Sequence, residues 1–201
     1  MAVREIYTSE HPVLRQKAKK VKHVDASIHK LIDDMLESMR AARGLGLAAP
    51  QIGVSLRVLV IELPEDDETD EAVEAMPRAK RQVKYSGDQV VLINPEVLKM
   101  EGEQSGEEGC LSIPGYVGVV RRAEKIAIKG LNRKGKEIRI NADGLLARAL
   151  QHEVDHLEGI LYTDRIEKPG DLFRLTEDNE RVPVFQGGAK HSAPKQVTPF
   201  A

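Results

Sequence analysis

The chain has 201 residues, of which 41% are hydrophobic and 31% are charged, with a formal net charge of −2. This describes an ordinary globular protein long enough for a sizeable core, and the charge gives no reason to expect a nucleic-acid surface. No apolar stretch of the sequence could span a bilayer, and MAVREIYTSE at the start lacks a signal peptide's hydrophobic core. The single cysteine, Cys110, cannot form an internal disulfide, so we expect a reducing, cytoplasmic compartment.

The N-terminal part of the chain predicts an extended segment followed by a helix. Residues 5–24 are predicted to be extended and turn-like, because His-Pro and polar residues interrupt any periodicity. A helix is then predicted to open at Asp25 or Ser27 and to end near Arg43. Its apolar residues recur at helical spacing, which is typical of a helix that packs on a core: Ile28, Leu31, Ile32, Met35, Leu36 and Met39.

A glycine-rich stretch and a charged insertion come next. Residues 44–53, GLGLAAPQIG, are compatible either with a tight helix-to-strand turn or with a close approach of the backbone to a ligand or strand. Residues 62–89 turn from acidic to basic and are predicted to be a solvated insertion. We expect a single domain over residues 1–166 and a polar, loosely held tail over 167–201.

Short apolar or alternating runs bounded by turn residues predict a series of β-strands. The expected strands are residues 56–63, 90–93, 96–103, 118–122, 125–131 and 137–140, with a hairpin turn at 132–135 and a short strand or turn at 161–166.

The most informative stretch is residues 151–156, QHEVDH, which contains the motif H-E-x-x-H. On a helix His152 and His156 lie one turn apart on the same face, so both imidazoles can reach one metal ion. Glu153 is rotated by about 100° around the helix axis. That offset suits a general base beside a metal site better than a ligand.

The surrounding residues favour a helix for this motif. Asn141 or Asp143 can cap its N-terminus, and Gly159 can end it in the left-handed conformation. Apolar residues cover most of its surface, so the helix is predicted to be largely buried. The simpler alternative is that both histidines only make hydrogen bonds inside a core.

A third protein ligand is needed, and the candidates distinguish several kinds of site. A third histidine of the metzincin type is excluded because Tyr162 occupies its position. A thermolysin-like glutamate would have to be Glu177 or Glu180, which lie in the polar tail. Cys110, in a glycine-containing turn between strands, is the better candidate because thiolates bind divalent metals well. A lone cysteine can equally be a small buried hydrophobe.

Three stretches together resemble the signature motifs of the peptide deformylase family, in the family's order. They are GLGLAAPQ at residues 44–51, EGCLS at 108–112 and QHEVDH at 151–156. Residues 10–15, EHPVLR, also resemble the N-terminal segment of that family. The resemblance extends from about residue 6 to residue 166.

The resemblance implies a fold, an activity and a metal. The fold would be α+β, with antiparallel β-sheets packed around the H-E-x-x-H helix and an N-terminal helix. The activity would be metal-dependent removal of the formyl group from the initiator methionine of nascent polypeptides, near the ribosome exit in the cytoplasm. Cys110, His152 and His156 would bind one divalent ion, Fe²⁺ in the first place, with Zn²⁺ or Ni²⁺ as alternatives.

The resemblance also implies roles around the metal. Glu153 would be the general base and acid, and the side-chain amide of Gln51 and the backbone N–H of Leu111 would stabilise the oxyanion. Glu108 is expected to pair with Arg122 as a structural bridge. The residues expected to contact substrate are Gly44, Leu45, Gly46, Gly109 and Arg148, the last in place of an arginine that some members carry after the Ser-Ile-Pro turn.

Two other interpretations of the same residues stay open. One is an H-E-x-x-H zinc peptidase, which would cleave an internal peptide bond. The other is a purely structural Cys-His₂ site, which would usually need a fourth protein ligand. Neither accounts for Gln51 and the glycines that precede it.

Overall fold

The computed structural model describes residues 2–63 and 89–185. These residues form two α-helices, α1 (Ala26–Ala41) and α2 (Gly144–Glu158), and nine β-strands. Strands β1 to β9 are Gly46–Ala48, Val58–Glu62, Gln89–Glu101, Gln104–Cys110, Ile113–Arg122, Lys125–Leu131, Glu137–Asp143, Leu172–Leu175 and Arg181–Pro183. Short 3-10 helices lie at Pro12–Arg15, Ala49–Ile52, Tyr162–Arg165 and Pro169–Asp171. Within the described ranges, no helix is both long and apolar enough to cross a membrane.

The strands form two antiparallel sheets. One has five strands in the order β1-β2-β3-β6-β7, and the other has four in the order β4-β5-β8-β9. Every strand pair in both sheets is antiparallel. The predicted α+β class, with antiparallel sheets around the H-E-x-x-H helix, is confirmed.

The five-stranded sheet lies between the two helices, and β2 shows why. Successive side chains of a strand point to opposite faces. Val58 and Val60 pack in the cluster that contains α1, whereas Leu59 and Ile61 pack in the cluster that contains α2. All six apolar residues predicted for the stripe of α1 are buried. The predicted cap Asp25 accepts hydrogen bonds from the backbone N–H groups of Ser27 and Ile28.

Strand β3 corrects one prediction. Residues 90–93 and 96–103 were expected to be separate strands divided by Asn94-Pro95, but Gln89–Glu101 is one continuous strand. The register shifts between Ile93 and Glu96, and Asn94 adopts φ 52°. A β-bulge therefore accommodates the proline inside the strand.

The predicted C-terminal tail is also wrong in part. Strand β8 pairs with β5, and β9 pairs with β8, so the fold continues past residue 166. Leu172 anchors this extension, because its side chain is buried in a third apolar cluster with Leu14 and Tyr162. Of the two alternatives predicted for residues 161–166, strand or turn, the structure shows the turn, as the 3-10 helix Tyr162–Arg165. Residues 186–201 and most of the predicted insertion, 64–88, lie outside the described residues.

Candidate active site

Helix α2 carries the three residues of the predicted H-E-x-x-H motif on its buried side. Asp143 stands at the N-cap position, but its side chain makes no capping hydrogen bond, whereas Gly159, with φ 75°, is the C-cap that the sequence predicted. His152, Glu153 and His156 are all buried, and the two imidazole rings meet edge to face with their centroids 5.0 Å apart. The one-turn spacing of the histidines thus points both rings into the same region of the interior.

Cys110 completes a group of three candidate metal ligands. It ends β4, just before the turn into β5, and its Sγ lies 3.2 Å from Nε2 of His156. The ligand atoms of Cys110, His152 and His156 all lie within 4.8 Å of one another. A thiolate and two imidazoles suit Zn²⁺, Fe²⁺ or Ni²⁺, and three protein ligands leave a coordination position open for a reactant.

Glu108 orients His152 from the adjacent strand. Its Oε2 lies 2.9 Å from Nδ1 of His152, which leaves Nε2 of that ring free for a ligand. Arg122 donates two hydrogen bonds of 2.9 Å to the same carboxylate, which confirms the predicted pair. Burial by itself raises the pKa of Glu108, but its hydrogen bonds with Arg122 and His152 outweigh burial and lower the pKa to about 2.

The protonation tendencies of the two histidines differ. Burial lowers the pKa of His156 well below its usual range, which favours the neutral imidazole that a metal requires. Burial acts in the same direction on His152, but its hydrogen bonds with Cys110 and Glu108 outweigh it and raise the pKa of that ring. The negative groups around His152 thus stabilise positive charge at this point of the site.

Glu153 lies against the glycine-rich stretch. A Cβ atom at Gly46 would lie 2.9 Å from Cδ of Glu153, so a side chain at position 46 would collide with the carboxylate. Oε2 of Glu153 is buried and has no hydrogen-bond partner among the described residues. Burial raises the pKa of Glu153 to about 7. A carboxyl group in that range can both accept and return a proton near neutral pH.

Gln51 lies beside Cys110 in a fixed orientation. Its Oε1 accepts a hydrogen bond of 2.8 Å from the backbone N–H of Ala48, which only an oxygen can do. Nε2 therefore points the other way, 3.6 Å from Sγ of Cys110 and 3.2 Å from Oγ of Ser112. The side chain is 1% exposed, and its amide N–H₂ is held next to the candidate metal ligands.

The other predicted contact residues form the walls around this group. A Cβ atom at Gly44 would lie 2.6 Å from Cδ1 of Leu111, so Gly44 and Gly46 face Leu111 and Glu153 respectively. Leu45, between them, is 42% exposed. Gly109 precedes Cys110 on β4 and is paired with Val117 of β5. The structure thus places the glycines next to the catalytic candidates.

Arg148 is the exception among the predicted contact residues. Its guanidinium donates to Glu108 Oε1 at 2.9 Å and to the backbone carbonyl of Val120 at 3.0 Å, and the residue is 8% exposed. These contacts direct the guanidinium at Glu108 and strand β5, and its remaining Nη2 is buried with no hydrogen-bond partner among the described residues. We therefore correct its assignment from substrate binding to support of Glu108.

Two neighbours of the site, Ser112 and Tyr162, were not predicted from the sequence. Ser112 is fully buried and accepts a hydrogen bond from Gln51, although the motif EGCLS had included it. Tyr162 stacks on His152 with ring centroids 6.1 Å apart and planes 21° apart. Its spacing from His156 had been used only to exclude a third histidine. No periodicity in the sequence signals either contact, because each joins separate elements.

Together the fold and the site define an α+β protein with an H-E-x-x-H helix and a cysteine from an adjacent strand. Residues 3–171 match the family model described as polypeptide deformylase. A peptide deformylase from Dehalococcoides mccartyi is 47% identical over 180 residues, covering 90% of this chain and 96% of the relative.

Solved structures agree with that match. The peptide deformylase from Ehrlichia chaffeensis superposes with a TM-score of 0.73 at 39% identity, covering 83% of this chain and 89% of that one. The class I type b peptide deformylase from Acinetobacter baumannii, solved with Met-Ala-Ser bound, gives a TM-score of 0.71 at 32% identity over 82% and 99% of the two chains. The chain therefore belongs to the peptide deformylase family. It is an enzyme of the kind that removes formyl groups.

Proposed function

We propose that the enzyme removes the N-formyl group from the initiator methionine of newly made polypeptides, with one divalent metal ion bound by Cys110, His152 and His156. Fe²⁺ is the leading candidate for this ion, and Zn²⁺ and Ni²⁺ fit the same ligands. The observation that carries the proposal is the convergence of these three ligand atoms within 4.8 Å, beside Glu153 and Gln51. Because the proposed substrates are nascent chains, we propose that the enzyme acts in the cytoplasm, near the ribosome exit.

Glu153 moves the protons of this reaction. A divalent ion held by Cys110, His152 and His156 would lower the pKa of water and polarise a carbonyl oxygen. Glu153 accepts the proton of the attacking water and returns it to the amine that leaves. Its unpartnered Oε2 is available for that exchange, and its position against Gly46 holds the carboxylate in one place. Formate and a free α-amino group are the products.

Gln51 and Leu111 stabilise the oxyanion that develops on the formyl oxygen. The orientation of the Gln51 amide by Ala48 supports this role, because Nε2 already points at the site before substrate arrives. A donor of this kind typically contributes about 3 kcal/mol to transition-state stabilisation. The backbone N–H of Leu111 is the second proposed donor, on the residue after Cys110.

The walls of the site suit a small acyl group on an extended peptide. Gly44, Leu45, Gly46 and Gly109 are proposed to border the substrate. The Acinetobacter baumannii relative binds Met-Ala-Ser, and we propose that this chain accepts the formylated form of that tripeptide. Gly46 packs against Glu153 so closely that a Cβ atom would not fit there, and we expect an acetyl methyl group to meet this wall where a formyl hydrogen does not.

Formate release from formyl-Met-Ala-Ser and acetyl-Met-Ala-Ser tests the proposal. With protein loaded anaerobically with Fe²⁺, we expect turnover of the formyl peptide and none of the acetyl peptide on the same timescale. A displacement of about 1 Å from the reactive geometry already costs roughly 100-fold. Comparable rates on both peptides, or cleavage of an internal peptide bond, would support the zinc peptidase alternative.

Two substitutions separate the roles of the site residues. Glu153→Ala should retain the metal and lose about 10²- to 10⁴-fold in kcat, because Glu153 transfers protons and is not a ligand. Cys110→Ala should lose metal at limiting concentrations. The control is Glu158→Ala, on the last turn of the same helix, which should change neither quantity. Metal content and formate release are measured on the same samples, and full metal occupancy in Cys110→Ala would disprove the ligand set.

A further inference from the structure

A short N-terminal stretch, residues 7–9, holds two residues of the site at once. The backbone N–H of Tyr7 donates to the carbonyl of Gln51, and the backbone N–H of Ser9 donates to the carbonyl of Ser112, each at 2.8 Å. One short stretch, which we name the strap, therefore links the backbones of Gln51 and Ser112 and limits their separation.

The two residues held by the strap are also joined to each other. Nε2 of Gln51 donates to Oγ of Ser112 at 3.2 Å, so the strap, Gln51 and Ser112 close a ring of hydrogen bonds. Gln51 carries one proposed oxyanion donor, and Ser112 directly follows Leu111, which carries the other. The ring thus connects the backbone segments that supply both donors.

The strap is itself fixed at both ends. On the C-terminal side of Ser9, the N–H of His11 donates to the carbonyl of Thr8 and closes a turn. The ring of His11 stacks on Tyr7 with centroids 4.2 Å apart. A Cβ atom at Gly53 would lie 2.5 Å from Cε2 of Tyr7, so the tyrosine packs directly on that glycine. Closer to the N-terminus, the N–H of Arg4 donates to Oγ of Ser38 on α1 at 2.8 Å.

We propose that the strap is a positioning element of the deformylation reaction. It contacts no reacting atom, and it acts by setting the distance between the Gln51 amide and the Leu111 N–H. The proposal rests on the proposed function, in which these two groups stabilise the oxyanion. Because an oxyanion exists only in the transition state, a loosened strap should lower kcat and leave KM nearly unchanged.

Ser9→Pro removes the N–H that holds Ser112. It should require little change in the conformation of the backbone. Ser9 is the second residue of the turn from Thr8 to His11, a position where proline is favoured. Ser9→Ala is the matched control, since it removes the side chain and keeps the N–H. We expect kcat to fall about tenfold in Ser9→Pro, with KM and metal content unchanged, and to stay within about twofold in Ser9→Ala. Equal kcat values in the two folded variants would overturn the proposal.

A double-mutant cycle with Gln51→Leu tests the route of the effect. If the strap acts through the spacing of the two donors, Ser9→Pro should cost less than about threefold once the Gln51 donor is gone. If the losses of kcat in the two single variants multiply in the double variant, the strap proposal is overturned, while the proposed function is not affected. A Gln51→Leu enzyme with normal kcat would instead contradict the donor role of Gln51 in the proposed function.

Tyr7 provides an independent variant if Ser9→Pro does not fold. Tyr7→Ala removes the ring that packs between Gly53 and His11 but keeps the N–H to Gln51, whereas Tyr7→Phe keeps both. A loss of kcat in Tyr7→Ala that Tyr7→Phe restores, with KM constant, supports the strap. Normal kcat in a folded Tyr7→Ala enzyme contradicts it.

Discussion

The two sides of helix α2 are held in different ways. Towards the five-stranded sheet it packs apolar side chains, among them Leu146, Ala147 and Leu150, against strands that are apolar as well. Towards the four-stranded sheet it presents charged side chains, and Arg148 and Asp155 are buried in ion pairs with Glu108 and Arg122 respectively. The apolar side places the helix in the fold, while the charged side orients the imidazole of His152. The apolar neighbours of the helix thus contribute to stability alone, whereas its charged neighbours contribute both to stability and to the geometry of a candidate ligand.

The largest expected loss of stability comes from the charged side. Glu108→Gln keeps the volume but leaves Arg122 and Arg148 without their full counter-charge, and breaking such a buried pair costs about 3–5 kcal/mol. Metal affinity should also fall, by roughly 10- to 100-fold, because the neutral amide lacks the negative charge that holds Nδ1 of His152. Urea unfolding and metal titration measure the two effects.

The neighbouring residue supplies a matched control for that change. Glu107 makes an equivalent two-bond pair with Arg181, but its side chain is 37% exposed against 4% for Glu108. Glu107→Gln should therefore cost less than about 1 kcal/mol. Similar losses for the two variants would show that burial of the network is unimportant.

Truncation on the apolar side should affect stability and spare the chemistry. Leu150→Ala deletes a fully buried side chain between α2 and the sheet, with an expected cost of about 2–5 kcal/mol. The surviving folded enzyme should keep its kcat and its metal affinity. Leu145→Ala, on the same helix but 50% exposed, is the control and should be nearly neutral. A strong fall in metal affinity for Leu150→Ala would contradict the division between the two sides.

The smallest effect is expected where the charged side reaches solvent. Arg165 donates to both oxygens of Asp155, but its own side chain is 45% exposed. Arg165→Ala should cost about 1 kcal/mol or less, because Arg122 still pairs with Asp155 and water replaces the lost partner. The free energy of unfolding checks this small cost. It is measured at low salt and again at about 1 M salt, which screens exposed charges. A cost near that of Glu108→Gln would mean that the network fails as a unit.

The apolar faces of both α1 and α2 were predictable from the sequence, and Met35 on α1 and Leu150 on α2 show why. Helical spacing of apolar residues depends only on local order along the chain, so burial of α1 and α2 followed from it. The H-E-x-x-H motif is local too, and it predicted the largely buried helix that carries His152, Glu153 and His156. Gln51 needed the resemblance to a family, and without it Cys110 was only the better of several candidate ligands, because the approach of both residues to α2 depends on the fold.

Most contacts on the charged side of α2 could not be predicted from the spacing of residues in the sequence. The contact of Glu108 with His152 depends on how strand β4 lies beside α2, which no spacing in the sequence encodes. Arg148 was assigned to the substrate in place of an arginine that some family members carry after the Ser-Ile-Pro turn, and its spacing from His152 does not encode its contact with Glu108. Strand β8 was missed because it is short and most of its neighbours in the chain are polar, although Leu172 is firmly buried.

The pairing of β2 with β3 has a practical consequence for the connection between them. Glu62 lies opposite Gln89 in the ladder, so residues 63–88 leave and re-enter the sheet at one point. A connection whose ends already meet can be lengthened at an entropic cost that grows only with the logarithm of its length. This position therefore suits the insertion of a reporter or affinity domain whose own termini are adjacent. Such a fusion would leave both chain ends free and the hydrogen bonds of the strap intact.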